Sequence, residues 1–558
     1  MIGSMYRVFF SRIRIGGPIA GLLAGFVLSF AAVQPAAAQA AADDIAGALT
    51  GLLESGAPPG AEDPRGMARA VRDFYLARSG QPLWFGTGAG GQARLAAGLD
   101  VLANAGREGL EPLDYRLSLL AGGLPEAAKS DDPATLAATE LQATLGLLRY
   151  ARDVSVGRTG PARTDPNVFV AAKTFDPAPV LNAFADPAAN PGDVLRAMPP
   201  SHREYAGLRD ALRRYAELRG EPRRVDEGPA LKPGMRDPRV AQMRTRLAFF
   251  GDLGATGAET DPELYTPLLT QAVRRFQTRH GLETDAIAGA QTLGALNVSK
   301  SERLHTIRLN MERWRWLPHE LGERFVLVNI AGFQAEMVED GRVVDQMRAV
   351  VGRTYRMTPV FSDRISYVEV NPTWTVPPKI ARKDLLPKIM ADPGYLAEGG
   401  YEVFAGWGEG AARLDPSSID WSRYGEGNFP FRLRQTPGPK NALGEVKVMF
   451  PNRFDVYLHD TPARELFQRS VRAYSSGCIR LERPFDMVNW LMNVTGGPGP
   501  GEIDSLRESR KTAVVGLPET VPVHLIYATA WTSPGGNVHF RHDIYNRDRL
   551  LNRSLQAR

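Results

Sequence analysis

Cysteine is almost missing from this chain: 558 residues contain one, Cys478. A single thiol forms no intramolecular disulfide and builds no cysteine-based zinc site. An excess of one charge is also lacking. Lysine and arginine number 67 against 62 acids, a formal +5. Three of the surplus positives, Arg7, Arg12 and Arg14, lie in residues 1–38, which hold no acid. Nucleic-acid binding, which needs a dense basic face, is therefore not expected. No Walker loop or dinucleotide fingerprint occurs. Long apolar runs are confined to Ile19–Val33, which is short for a spanning helix. That run follows the three arginines and precedes Ala36-Ala37-Ala38 and Ala38-Gln39-Ala40, the pattern of a signal peptide over residues 1–40. Left uncleaved, it would anchor the chain to a membrane.

The composition that is present, 43% hydrophobic and 23% charged, belongs to folded globular chains, and the length predicts three or four domains. The reading is a multidomain α+β chain. Residues 41–218 are rich in alanine, leucine and arginine, with helical spacing at Leu95, Leu99 and Leu102 and at Leu141, Leu145 and Leu148, and are expected to form a helical scaffold. Residues 219–234 are polar and breaker-rich, as in a linker. Residues 235–299 carry a compact helical pattern. From residue 300 to 530 the pattern turns to short apolar or alternating runs, including Val326–Ile330, Gln334–Val338, Met347–Gly352, Ser366–Val370, Val456–His459 and Val521–Tyr527. These predict a β-rich domain, with a hairpin turn at Asp340-Gly341. Residues 378–435 break that pattern and are expected to be an inserted cap, and 531–558 a C-terminal extension.

Chemistry concentrates in Val456-Tyr457-Leu458-His459-Asp460-Thr461-Pro462, followed by Ser475-Ser476-Gly477-Cys478-Ile479-Arg480. A histidine ending a strand can reach a cysteine 19 residues on, lower the thiol pKa as an ion pair and protonate a departing amine. Either the backbone carbonyl or the carboxylate of Asp460 could hold that imidazole in one tautomer. Gly477 permits a tight turn, and its amide and that of Cys478 could face a developing oxyanion. His539 and His542 are spaced like a ligand pair, but an alternating strand would point them to opposite faces, so no metal site is expected there.

The second segment, downstream of His459-Asp460-Thr461-Pro462, resembles the active-site signature of the L,D-transpeptidase family. Asn310–Pro318, Asn371-Pro372-x-Trp374-x-Val376-Pro377 and Pro437-Gly438-x-x-Asn441-Ala442-Leu443-Gly444 resemble its large periplasmic branch. The order Val240…Leu247…Ala272-Val273-x-x-Phe276-Gln277…Gly281-Leu282 resembles a small peptidoglycan-binding domain. Serine stands at 476, where the common pattern has a second histidine. The resemblance implies a periplasmic enzyme that crosslinks diaminopimelate residues of stem peptides through a cysteinyl thioester, is acylated by carbapenems and needs no cofactor. Its catalytic residues would be Cys478, His459, Asp460 and Gly477, with Tyr457, Ser475, Ser476, Arg480, Trp407 and Trp421 contacting substrate. Implied partners are peptidoglycan stem peptides and glycan, with cell-wall synthases as candidate protein partners. Alternatives are an L,D-carboxypeptidase and an inactive wall-binding protein.

Overall fold

The computed structural model of the chain describes residues 35–55, 66–115, 130–254 and 260–557. The expected signal segment lies outside them up to residue 34, and Pro35–Glu54 is a helix. Among the described residues, no helix is long and apolar enough to cross a membrane.

The N-terminal unit is helical. Helices Pro35–Glu54, Met67–Ala77, Ala89–Ala103 and Pro133–Val156 enclose one apolar core that includes Leu49, Trp84, Leu102 and Leu148. Asp132 accepts from the amides of Ala134 and Thr135, with proline at the next position, which fixes the start of the longest helix. That helix carries a buried carboxylate, Glu140, which accepts from the Tyr75 hydroxyl at 2.7 Å and from the Trp84 and Phe85 amides. Burial pushes its pKa up to about 7 even so.

A second core joins helix Arg203–Glu217, the helices Pro238–Phe249, Pro267–His280 and Ala290–Leu296 of the small helical unit, and helix Lys300–Trp316. The segment expected as a linker is laid against this unit: Val225 and Leu231 are buried, and Leu231 bridges to Ala288.

The β-rich part contains β1 (Arg324–Asn329), β2 (Gln334–Glu339), β3 (Arg342–Gly352) and β4 (Phe361–Val370). The cap follows with β5 (Trp374–Thr375), β6 (Tyr401–Phe404), β7 (Arg413–Leu414) and β8 (Arg432–Gln435). The main sheet resumes with β9 (Val446–Met449), β10 (Leu458–His459), β11 (Ala473–Ser475), β12 (Ile479–Leu481) and β13 (Ala513–Ile526), before a hairpin of β14 (Ala530–Thr532) and β15 (Val538–Phe540). The large sheet runs β11-β3-β12-β10-β9-β4-β13-β1-β2, and β2 also pairs with β3, closing it on itself. The hairpin between β2 and β3 turns at Asp340 and Gly341, both at positive φ, as a two-residue turn requires. Alternate residues fill the closed interior with Val326, Val328, Val368, Val448, Leu458 and Ile479, all buried.

The cap has its own small core of Val376, Leu385, Ile389, Leu396, Val403 and Leu433, and its strands form a four-stranded sheet in the order β5-β8-β6-β7. The C-terminal extension folds back: helix Arg547–Gln556 packs on Lys300–Trp316 and on the N-terminal unit.

Candidate active site

The site is set by register. Strands β10 and β12 run parallel, with Leu458 opposite Ile479 and His459 opposite Arg480. Leu458 and Ile479 are fully buried in the closed core. Alternation therefore turns Tyr457, His459, Cys478 and Arg480 to the other face together. On the far side of β10, Lys447 of β9 stands opposite His459, so the imidazole has a cation on each flank.

His459 Nδ1 lies 2.5 Å from the backbone carbonyl of Asp460. A carbonyl only accepts, so Nδ1 carries the proton and Nε2 presents a lone pair. The Asp460 carboxylate is engaged elsewhere, accepting from Arg464 Nη1 at 2.9 Å and the Glu445 amide at 3.0 Å. Burial, then Arg480 and Lys447, push the imidazole pKa down to about 3. Burial also raises the Cys478 thiol above its usual range, against the opposing pull of Tyr457, Lys447 and Arg480. The sulfur donates to the Asp455 carbonyl at 3.6 Å and is hydrogen-bonded by the Tyr457 hydroxyl. These directions favour a neutral thiol and a neutral imidazole over the expected thiolate–imidazolium pair, first because burial penalises both charges and then because Arg480 and Lys447 oppose a charge on the ring.

The turn that carries Cys478 departs from expectation in two further ways. Ser475 is buried and braces the turn: its hydroxyl donates to the Cys478 carbonyl at 2.5 Å and accepts from the Gly477 amide at 3.1 Å. Its hydroxyl is taken up within the turn, and the Gly477 amide is already committed. The Cys478 amide is left as the backbone donor at the turn. Gly477 is required by conformation rather than space, since its φ is +128° while a Cβ there would meet nothing within 4 Å.

Thr358, fully buried, holds the same turn from behind. Its hydroxyl donates to the Gly477 carbonyl at 2.8 Å and accepts from the Gly352 amide at 2.9 Å. Behind it, Arg547 donates to the Thr358 carbonyl at 3.3 Å and pairs at 2.8 Å with Asp165 of the N-terminal unit. Thr358→Val keeps the shape and leaves those two groups unsatisfied, so a thermal melt is expected to show a loss of about 1–3 kcal/mol. Thr358→Ser should restore most of it.

Ser476 is exposed, and its hydroxyl accepts from Arg356 Nη1 at 2.8 Å. The same guanidinium pairs with Asp384 of the cap through both terminal nitrogens, so Arg356 joins cap and nucleophile turn. Arg480 lies near the sulfur, and its buried Nε has no partner among the described residues. Trp407 is 48% exposed between β6 and β7. Trp421 instead belongs to an aromatic cluster inside the cap with Phe429 and Phe431 and donates to the Pro416 carbonyl. Of the residues expected to contact substrate, Ser475 and Trp421 are therefore engaged structurally, and Tyr457 is tied to the sulfur. Lys447, Thr358 and Arg356 were not singled out by sequence. The alternation Val446-Lys447-Val448 is the one signal that could have placed Lys447 on the site's face.

Residues 69–212 match the model of a scaffold domain, 236–296 that of a peptidoglycan-binding domain, and 323–515 that of the L,D-transpeptidase catalytic domain. A Haemophilus influenzae protein named as an L,D-transpeptidase is 37% identical over 246 residues, 44% of this chain and 48% of that protein. An N-acetylmuramoyl-L-alanine amidase of Mycobacterium tuberculosis is 35% identical over 126 residues, 22% of this chain and 29% of that protein. The chain thus spans less than half the length of these two curated relatives. A crystal structure of an L,D-transpeptidase from Stackebrandtia nassauensis covers 54% of this chain and 96% of its own at 14% identity, with a TM-score of 0.21. The strand-end histidine and the glycine turn bearing the lone cysteine thus lie in the segment, residues 323–515, that matches the L,D-transpeptidase catalytic domain, behind segments that match a scaffold domain and a peptidoglycan-binding domain.

Proposed function

We propose that the chain crosslinks peptidoglycan stem peptides in the cell wall, joining two diaminopimelate residues through a thioester on Cys478. The observation that supports this most is the tautomer of His459, fixed by the Asp460 carbonyl, on the same sheet face as Cys478. As the sulfur attacks the carbonyl carbon at the L-centre of a donor diaminopimelate, Nε2 takes the thiol proton and the S–C bond forms. The oxyanion faces the Cys478 amide. Collapse breaks the C–N bond to the terminal D-alanine, whose amine leaves with the proton held by His459. The side-chain amine of a second diaminopimelate then attacks the thioester and gives a proton to Nε2. The new amide forms, the C–S bond breaks, and the thiol is restored. Arg480, with a donor unused, is placed to hold a substrate carboxylate.

Incubating the purified chain with disaccharide tetrapeptide and weighing the products tests the proposal. A dimer lacking one D-alanine is expected. Tripeptide alone would make the chain a carboxypeptidase, and unchanged substrate would refute both.

The pKa directions give a separate prediction. Between the lowered imidazole value of about 3 and the raised thiol value, both groups are neutral. Iodoacetamide should therefore alkylate Cys478 at a rate that climbs roughly tenfold per pH unit from about pH 6 to about pH 8.5. A plateau reached below pH 6 would instead reveal a standing thiolate–imidazolium pair.

A further inference from the structure

A cavity of about 560 Å³ lies apart from the site, and Cys478 and His459 do not line it. Strands β2 and β3, the start of helix Arg203–Glu217, Thr278 of the small helical unit and the β14–β15 hairpin all contribute to its wall. Two guanidiniums in this wall are unusual. Arg541 donates to the carbonyls of Arg279 and Phe540 at 2.9 and 2.8 Å and lies over the Trp531 ring, 4.6 Å from its centre. Arg472 donates to the carbonyls of Ala349, Arg469 and Phe333 at 3.2, 2.7 and 2.9 Å. Neither forms an ion pair with a carboxylate among the described residues.

Desolvated cations without a counter-charge are costly, so such groups are normally paired. Burial, then Arg472, bring Arg541 down to about 9, and burial, then Arg348, bring Arg472 down to about 10 although Glu482 pulls the other way. The acids in the same wall lie within ion-pair distance of other guanidiniums. Glu204 pairs with Arg203 at 2.5 Å, Glu336 lies 3.7 Å from Arg203, and Glu482 lies 3.9 Å from Arg348. A neighbouring groove of about 750 Å³ shares Thr278 and His539 with the cavity and is lined beyond them by Phe249, Arg274 and Arg275 of the small helical unit.

We propose that this cavity is a second peptidoglycan site, in which a stem-peptide carboxylate is held between Arg472 and Arg541. The carboxylate follows from the unpaired guanidiniums alone; its source in a stem peptide rests on the function proposed above. The lone cysteine permits a clean test. Capping Cys478 with N-ethylmaleimide fills the catalytic groove, and the capped full chain is titrated calorimetrically with disaccharide tetrapeptide. Binding is expected to persist, to weaken at least tenfold when the peptide carboxylates are amidated, and to weaken similarly in Arg472→Gln but not in Arg472→Lys. Affinity insensitive to amidation, or no binding to the capped chain at millimolar peptide, overturns the site. The amidation arm uses the unaltered chain and so does not depend on the variants folding. Because the titration requires no turnover, loss of crosslinking with retained binding would refute the catalytic reading while leaving this one standing.

Discussion

Cys478→Ala is expected to abolish crosslinked product and carbapenem adduct together, a fall on the order of 10⁴-fold or more in turnover. The sulfur is the one atom in the proposed sequence that forms and breaks a bond to the acyl carbon, and no second thiol exists to replace it. Its contacts to Asp455 and Tyr457 are few, so the fold should survive. Sedimentation of the variant with purified wall should match that of the parent, because the core that holds residues 236–296 does not include Cys478. Intact-mass spectrometry after carbapenem treatment reads the result directly. An adduct persisting in the variant would show that the nucleophile had been misassigned.

His459→Ala is expected to slow acylation by about 10²–10⁴-fold, the usual worth of a positioned general base. Ser476→Ala should cost less than about tenfold, since it removes one exposed hydrogen bond from Arg356. The ranking matters more than either figure. Serine at 476 occupies the place of a second histidine, and only an imidazole titrates where proton transfer is useful. Because alanine at 459 leaves a cavity beside the core, His459→Asn serves as the volume-matched variant and should be impaired to a similar degree. Time-resolved mass spectrometry of the acyl-enzyme measures both, and a slower Ser476→Ala than His459→Ala would move the base elsewhere.

The strands legible in the sequence were those with one face in the closed core. Val326–Ile330, Gln334–Val338 and Val521–Tyr527 alternate or run apolar because β1, β2 and β13 are long enough to show a period. The cap's strands are two to four residues long, and β8 reads Arg-Leu-Arg-Gln, too short and too charged to reveal that Leu433 and Gln435 are buried. Segment 219–234 looked like free linker because two apolar residues, Val225 and Leu231, do all its packing among breakers. At the site, the cysteine, the histidine and the glycine turn were visible as local sequence. The protonation states were not, because they depend on Lys447 and Arg480 being brought alongside His459 by pairing of separate strands. The choice between carbonyl and carboxylate at Asp460 was likewise decided by distant partners, Arg464 and Glu445, which claim the carboxylate.

The bracing behind the nucleophile has a consequence for the order in which the chain matures. Asp165 is made long before Cys478, and the groups that complete the brace are made after it: Arg547 reaches Asp165 and Thr358, and the Tyr545 hydroxyl reaches Gly352. A nascent chain that has emerged as far as Cys478 already contains its reactive sulfur but lacks the final buttress of the turn that aims it. Full bracing of the turn thus awaits Tyr545 and Arg547, and a chain cut short before Tyr545 would display the thiol without the support that orients it.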